Sequence, residues 1–341
     1  MESDINDQLG AARGASLDPV PPTEVTRSEG SSGRWWRLFR IGIGAGILGF
    51  LLTQTDLEAA WRVVANARLE LLLLAFASVV GSRIVASVRW YLLVRARHAT
   101  TLFGVIRLTF ISNFAGYFMP GGLGVEVLRV YGLAKTTADP AFSAASVLVE
   151  RVVALGVLVL LVLVGMASRP LGLPAEIDRL AWLCLALLVF GVLAIMVRLT
   201  RRLALGMLPG KRLAPIRGGL QKVFAALDAY RSRPALIAGS FLLALIFQLM
   251  RCASVTASAA ALGHPVPLTF IMVVYPIMLL ISLLPISIAG LGVREAGFVY
   301  FLGLAGMPVE IALPLALIQR LFTILVILPG GWWYLRHGLR G

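Results

Sequence analysis

Gly122-Leu123-Gly124-Val125-Glu126 returns later in the chain as Gly290-Leu291-Gly292-Val293-Arg294-Glu295, each time after a long apolar stretch and close to a proline. The echo reaches further in both directions. Upstream, Arg83-Ile84-Val85-Ala86-Ser87-Val88 faces Arg251-Cys252-Ala253-Ser254-Val255; downstream, Leu148-Val149-Glu150-Arg151 faces Leu317-Ile318-Gln319-Arg320. The offset stays between 167 and 169 residues over these pairs, a constancy that chance matches of short motifs do not produce. The pattern predicts a duplicated unit that keeps a charged, glycine-rich signature twice, as the binding sites of many transporters do.

Composition sets the class. Apolar residues make up 59% of the 341, and the mean hydropathy of +0.88 is far above that of soluble chains. Apolar segments fall near 37–54, 71–94, 102–119, 142–168, 180–198, 235–262, 268–289 and 309–334, several of them long enough to cross a bilayer. The expected fold is an all-α polytopic integral membrane protein. It would have about eight membrane helices, an inverted-topology internal repeat and glycine-rich re-entrant or broken-helix motifs. Residues 1–33, rich in Gly, Ser, Pro and Thr, read as a disordered cytoplasmic tail. Acids and prolines ahead of the first apolar run argue against a cleavable signal. Residues 34–341 form the membrane domain, with repeat A at about 71–168, a linking helix and basic connection at 180–233, and repeat B at about 235–334. Cys184 and Cys252 sit inside apolar segments with no motif spacing and read as inert, buried thiols.

Basic residues orient the chain. The 199–233 connection carries Arg201, Arg202, Lys211, Arg212, Arg217, Lys222, Arg231 and Arg233 against the single acid Asp228, and the C-terminus ends with Arg336, His337 and Arg340. Positive-inside logic places both termini and this connection in the cytoplasm. The segments holding Arg83 and Arg251 then run in opposite senses, so charge asymmetry and sequence echo agree on an inverted repeat. The net charge of +14 reads as topology plus contact with anionic lipid, and nucleic acid is not expected as a partner.

Two groups of residues carry the functional argument. Pro120, Gly121, Gly122 and Gly124, with Pro285, Gly290 and Gly292, break any helix and read as hinges or turns, which survive at membrane depth only inside protein or beside water. Arg83, Arg129, Arg151, Arg251, Arg294 and Arg320 lie within or beside apolar segments, as do Glu126, Glu150 and Glu295. A charge at the centre of a membrane helix costs about 2.5–3.5 kcal/mol, so such groups face a cavity or a partner. Arg107 near a helix end, with Arg89 and Arg95, reads as snorkelling to the interface. Even so, arginines outnumber the acids, and guanidinium forks suit phosphate. Asn113, four residues after Thr109 on the same helical face, adds neutral hydrogen-bonding groups. The expected interior is a net-basic polar cavity for an amphiphile with an anionic head.

At these residues the chain resembles a known family. Asn113 to Arg129, N-F-A-G-Y-F-M-P-G-G-L-G-V-E-V-L-R, and Pro285 to Glu295, P-I-S-I-A-G-L-G-V-R-E, look like the two signatures of the lysylphosphatidylglycerol synthase transmembrane, or flippase-like, family. The resemblance covers about residues 36–337. It implies a multi-pass bacterial inner-membrane protein whose best-known relatives move an aminoacylated phospholipid across the bilayer. It also carries functional weight onto Gly122, Gly124, Glu126, Arg129, Gly290, Gly292, Arg294 and Glu295. Where relatives commonly have Gly-Asp, this chain has Val125-Glu126, which keeps the acid and lengthens its reach. The sequence ends at Gly341 without the soluble aminoacyl-transferase domain of the two-part synthases, so no tRNA-dependent chemistry is expected. The basic surplus favours an anionic lipid over the cationic lysyl lipid.

Enzyme classes find little support. His98, His264 and His337 lack metal-ligand spacing, paired Asp-x-Asp carboxylates are missing, and no Gly-x-x-x-x-Gly-Lys-Ser nucleotide loop is present. No catalytic residue, metal or cofactor is expected. The reading is a lipid flippase or translocase for an anionic or phosphate-bearing lipid, aminoacylated or polyprenyl lipids included. The first alternative is a membrane scaffold or accessory subunit of a separately encoded lipid- or envelope-modifying enzyme. The second is an intramembrane head-group transferase.

Overall fold

A computed structural model describes residues 42–43, 45–117, 119, 124–168, 175–196, 214–283, 287 and 290–338. The 1–33 tail, Pro120 to Leu123 and Pro285 lie outside the described residues. Every regular element among the described residues is helical. In chain order these are α1 (45–53), α2 (Leu57–Ala65), α3 (Leu69–Arg95), α4 (Leu102–Tyr117), α5 (Gly124–Thr137) and α6 (Pro140–Ala167). They continue as α7 (Ala175–Met196), α8 (Ala214–Arg231), α9 (Pro234–Ala261), α10 (Leu268–Leu283), α11 (Val293–Leu304) and α12 (Val309–His337).

Helix lengths follow from where the chain can be capped or broken. Asp56 caps α2 by accepting from the Glu58 and Ala59 amides at 2.9 and 3.0 Å. Asp139 caps α6 through the Phe142 amide at 3.0 Å, with Pro140 in the first turn where its missing N–H costs nothing. The helices α3, α6, α9 and α12 are long and apolar enough to cross a membrane. At 27 to 29 residues each extends about 40 Å, more than the roughly 30 Å hydrocarbon core. The 16-residue helices α4 and α10 are apolar but shorter, near 24 Å each. Among the described residues, then, four helices qualify as membrane spans by length and composition together.

The surface confirms the class. Leu69, Leu73 and Leu74 on α3, Leu183, Leu187 and Phe190 on α7, and Leu321, Leu325 and Leu328 on α12 are all exposed. In water such apolar area would drive association; hydrocarbon is its natural solvent. The protein is a multi-pass membrane protein.

Packing follows a paired scheme. Helices α3 and α9 lie against each other most extensively, with small residues (Ser82, Ser87, Ser254, Ser258, Ala259) buried there. Around this pair, α4 packs on α12 and α10 on α6; α4 meets α5 and α10 meets α11; α5 meets α6 and α11 meets α12. The remaining contacts, α3 with α4, α6 and α12, are matched by α9 with α10, α12 and α6. Outside the scheme, α7 covers α6 and α10, and α8 covers α6 and α9. The Tyr230 hydroxyl pins α8 by donating to the Leu93 carbonyl at 3.1 Å, and burial pushes its pKa above the ordinary tyrosine value, which keeps it a donor.

Two close approaches explain why glycine is used. A Cβ on Gly330 of α12 would stand 2.1 Å from the Phe110 carbonyl oxygen of α4, and one on Gly165 of α6 would stand 2.9 Å from the Thr269 carbonyl oxygen of α10. Backbone, unlike a flexible side-chain tip, cannot move aside cheaply. Gly330→Ala should therefore push α12 off α4 and cost about 1–3 kcal/mol. Thermal unfolding in detergent checks this, and a variant as stable as the parent would contradict the packing.

Candidate functional site

Between the two sets of helices lies a cavity of about 440 Å3, a size suited to a small ligand or head group. Each of α3–α6 and α9–α12 sends a residue to its wall. Helical spacing explains who arrives. Arg83, Ala86 and Arg89 recur at three-residue steps and share one face of α3. Consecutive Glu150 and Arg151 point about 100° apart on α6, so they serve different partners.

Each acid near the cavity is already held. Glu150, buried on α6, meets Arg89 Nη2 at 2.5 Å and Arg129 Nη2 at 2.6 Å, which makes an Arg-Glu-Arg triad from three helices. Arg129 also lies 4.0 Å over the Trp90 ring, whose Nε1 donates to Ser146 Oγ at 3.2 Å. Glu126 pairs with Arg151. Glu295, fully buried, pairs with Arg320 and accepts from the Gly292 amide at 2.8 Å, which caps the start of α11. Gly290 and Gly292, with φ of 66° and 76°, supply the left-handed backbone this turn needs. Arg320 further donates to Tyr117 OH and to the Gly290 carbonyl oxygen, both at 3.0 Å. One side chain thus ties α12 to α11, α4 and the glycine turn.

The remaining arginines are different. Arg83 donates to Asn113 Oδ1 at 3.1 Å, and Arg251 donates to Tyr275 OH at 3.1 Å. Arg294 lies 5.8 Å over the Phe298 ring. Among the described residues no carboxylate pairs with any of the three, and they repel one another electrostatically. Among the described residues Arg83 Nε and Arg251 Nη1 are buried donors without acceptors, as are Arg89 Nε and Nη1 and Arg129 Nε. The wall as a whole carries Arg83, Arg89, Arg129, Arg151, Arg251 and Arg294 against Glu126 and Glu150. Such a surplus in a low-dielectric interior attracts an anion.

The sequence candidates distribute as follows. Arg83, Asn113, Glu126, Arg129, Glu150, Arg151, Arg251, Arg294 and Gly290 line the cavity. Glu295 and Arg320 form their pair beside it, within reach of Tyr117 and Gly290 on its wall. Gly124 starts α5, and Pro120, Gly121, Gly122 and Pro285 fall outside the described residues. Arg89 departs from expectation: it is buried against Glu150 and does not snorkel, because an acid on the facing helix is a nearer partner than water. Thr109 lines the cavity beside Asn113, whose Nδ2 donates to the Thr109 carbonyl oxygen at 2.7 Å, while the Thr109 hydroxyl donates to the Val105 carbonyl oxygen. Tyr275 and Gln248 carry no charge and belong to no quoted motif, so only the tertiary structure brings them to the site, whereas Tyr117 lies within the Asn113 to Arg129 signature, four residues after Asn113. Among the described residues no group of three His, Cys, Asp or Glu side chains could hold a metal.

A helical bundle with an apolar exterior and a basic chamber reached by eight of its helices defines a multi-pass membrane protein with an internal anion-attracting site. Residues 37–331 match the model of the lysylphosphatidylglycerol synthase TM region, and the chain belongs to that family. It matches no curated protein and no solved structure. Family membership links the protein to membrane lipids.

Proposed function

We propose that the protein is a lipid translocase that carries a lipid with an anionic, phosphate-bearing head group across the bacterial inner membrane, without hydrolysis of its own. The observation that carries this reading is the trio Arg83, Arg251 and Arg294, which line the cavity with no carboxylate partner among the described residues. Buried charge without a partner is costly, and a bound anion is what would offset it. The head group would sit among these arginines while its acyl chains stay in the bilayer.

The matched helix pairings support an inverted-topology repeat, with α3–α6 and α9–α12 as its halves and both termini cytoplasmic. Equivalent positions also bond alike. Glu126 with Arg151 corresponds to Glu295 with Arg320, each at an offset of 169 residues. In this reading α4–α5 and α10–α11 are re-entrant or broken pairs that complete an eight-helix unit, and their glycine turns permit alternating exposure of the site. The carboxylates keep the pairing arginines oriented when the site is empty.

Reconstitution in liposomes with fluorescent phospholipids tests the proposal. Wild type should speed exchange between leaflets, and Arg251→Gln should slow it at least about tenfold, the weight of one charge-assisted contact. Well-folded protein that moves no lipid would end the translocase reading. It would favour a scaffold, a role that the ion pairs joining α3, α5 and α6 would also serve. A chemically altered lipid in the same assay would favour a transferase.

A further inference from the structure

We infer that Arg83, Arg251 and Arg294 form a subsite for a doubly charged phosphate, so the carried head group is a phosphate monoester and not a phosphodiester. This deepens the translocase reading and rests on it for the lipid that bears the phosphate.

Glu126, Glu150 and Glu295 are each consumed by their own arginines. Around one space, three arginines remain with no carboxylate of their own among the described residues, and the Arg89–Glu150–Arg129 triad adds one further net positive charge. A phosphodiester, with one negative charge, leaves two of the three arginines uncompensated in a medium that screens poorly. A monoester dianion leaves one.

Geometry points the same way. Asn113 and Tyr275 each accept one N–H, from Arg83 and Arg251 respectively. These neutral partners orient the guanidinia without cancelling their charge. Arg83 Nε and Arg251 Nη1 are left buried without acceptors among the described residues. A monoester offers three terminal oxygens to three guanidinia, whereas a diester offers two. The third arginine is a local addition. In the first copy Val125 is followed directly by Glu126, while in the second Arg294 stands between Val293 and Glu295. The added residue faces the cavity, and Glu295 keeps the pairing role that Glu126 has in the first copy.

The full chain in phosphatidylcholine nanodiscs, read by native mass spectrometry, separates the possibilities. The probes are phosphatidic acid, phosphatidylglycerol and inorganic phosphate alone. At about pH 7.5 phosphatidic acid should bind at least about tenfold more tightly than phosphatidylglycerol. The preference should shrink to about threefold or less near pH 5, because the second proton of a monoester returns with a pKa of about 6 and the arginines keep their charge. Arg294→Gln should remove most of the preference by weakening phosphatidic acid, and Arg62→Gln, outside the site, should leave it intact. Equal binding of the two lipids at about pH 7.5 would overturn the dianion subsite and leave the anionic-lipid reading standing. No retention of either lipid over phosphatidylcholine would overturn both. Inorganic phosphate bound as tightly as phosphatidic acid would keep the dianion subsite and remove a lipid as its bearer.

Discussion

Glu150→Gln is expected to destabilise the protein by about 3–5 kcal/mol, the usual cost of removing one partner from a buried ion pair. Glu150 is 4% exposed and is the shared counter-ion of Arg89 and Arg129, themselves buried on two other helices. A neutral amide can accept a hydrogen bond from one guanidinium, but it leaves two positive charges without a negative one. The cost should also be non-additive. Replacing Arg89 by Gln together with Glu150 removes one charge of each sign, so the double variant should recover part of the loss. Unfolding midpoints in detergent, compared across the single and double variants, provide the check. A Glu150→Gln protein within about 1 kcal/mol of wild type would mean that water or a mobile anion reaches this triad.

Arg294→Met should move stability and function in opposite directions. Arg294 has no carboxylate partner among the described residues and contacts the Phe298 ring. Its desolvation is therefore not repaid in the ligand-free protein. A methionine of similar length should raise the stability of the empty protein by about 1–3 kcal/mol, below the roughly 2.5–3.5 kcal/mol cost of a charge at the centre of a membrane helix because Arg294 is only half-buried. Retention of phosphate-bearing lipid should fall about tenfold or more, because a charge-assisted contact is lost. Thermal unfolding of delipidated protein and lipid retention on the same samples give the two readouts. If stability falls along with retention, Arg294 holds the fold together and the ligand argument loses its third arginine.

These opposite signs separate two kinds of arginine that look the same in the sequence. Arg89 and Arg294 both sit in apolar surroundings, yet one completes a triad and the other waits for a partner. The distinction depends on which helices come together. The repeat itself is visible in the sequence, and so is a substitution within it that changes the chemistry. Glu150 corresponds to Gln319, and where Glu150 meets Arg89, Gln319 Nε2 donates to Ser258 Oγ at 2.9 Å. At this one position the first copy fastens its helices with charge and the second with a neutral hydrogen bond, a contrast readable only once both contacts are placed.

Sequence alone determined the class, the duplicated signature, the family resemblance and most of the charged residues around the cavity. Each of these rests on local or periodic information: apolar runs long enough for a bilayer, a constant offset, and charges whose burial is costly wherever they go. Tertiary structure decided the rest. It brought Tyr275 and Gln248 to the wall, joined Tyr117 to Arg320, drew Arg89 inward to Glu150, and left Arg83, Arg251 and Arg294 without a carboxylate partner among the described residues. The physical reason is that the cost of a charge can be read from one residue and its neighbours in the chain, but its compensation comes from a side chain on another helix. Which arginine is neutralised, and which remains free to hold an anion, is settled only when those helices pack.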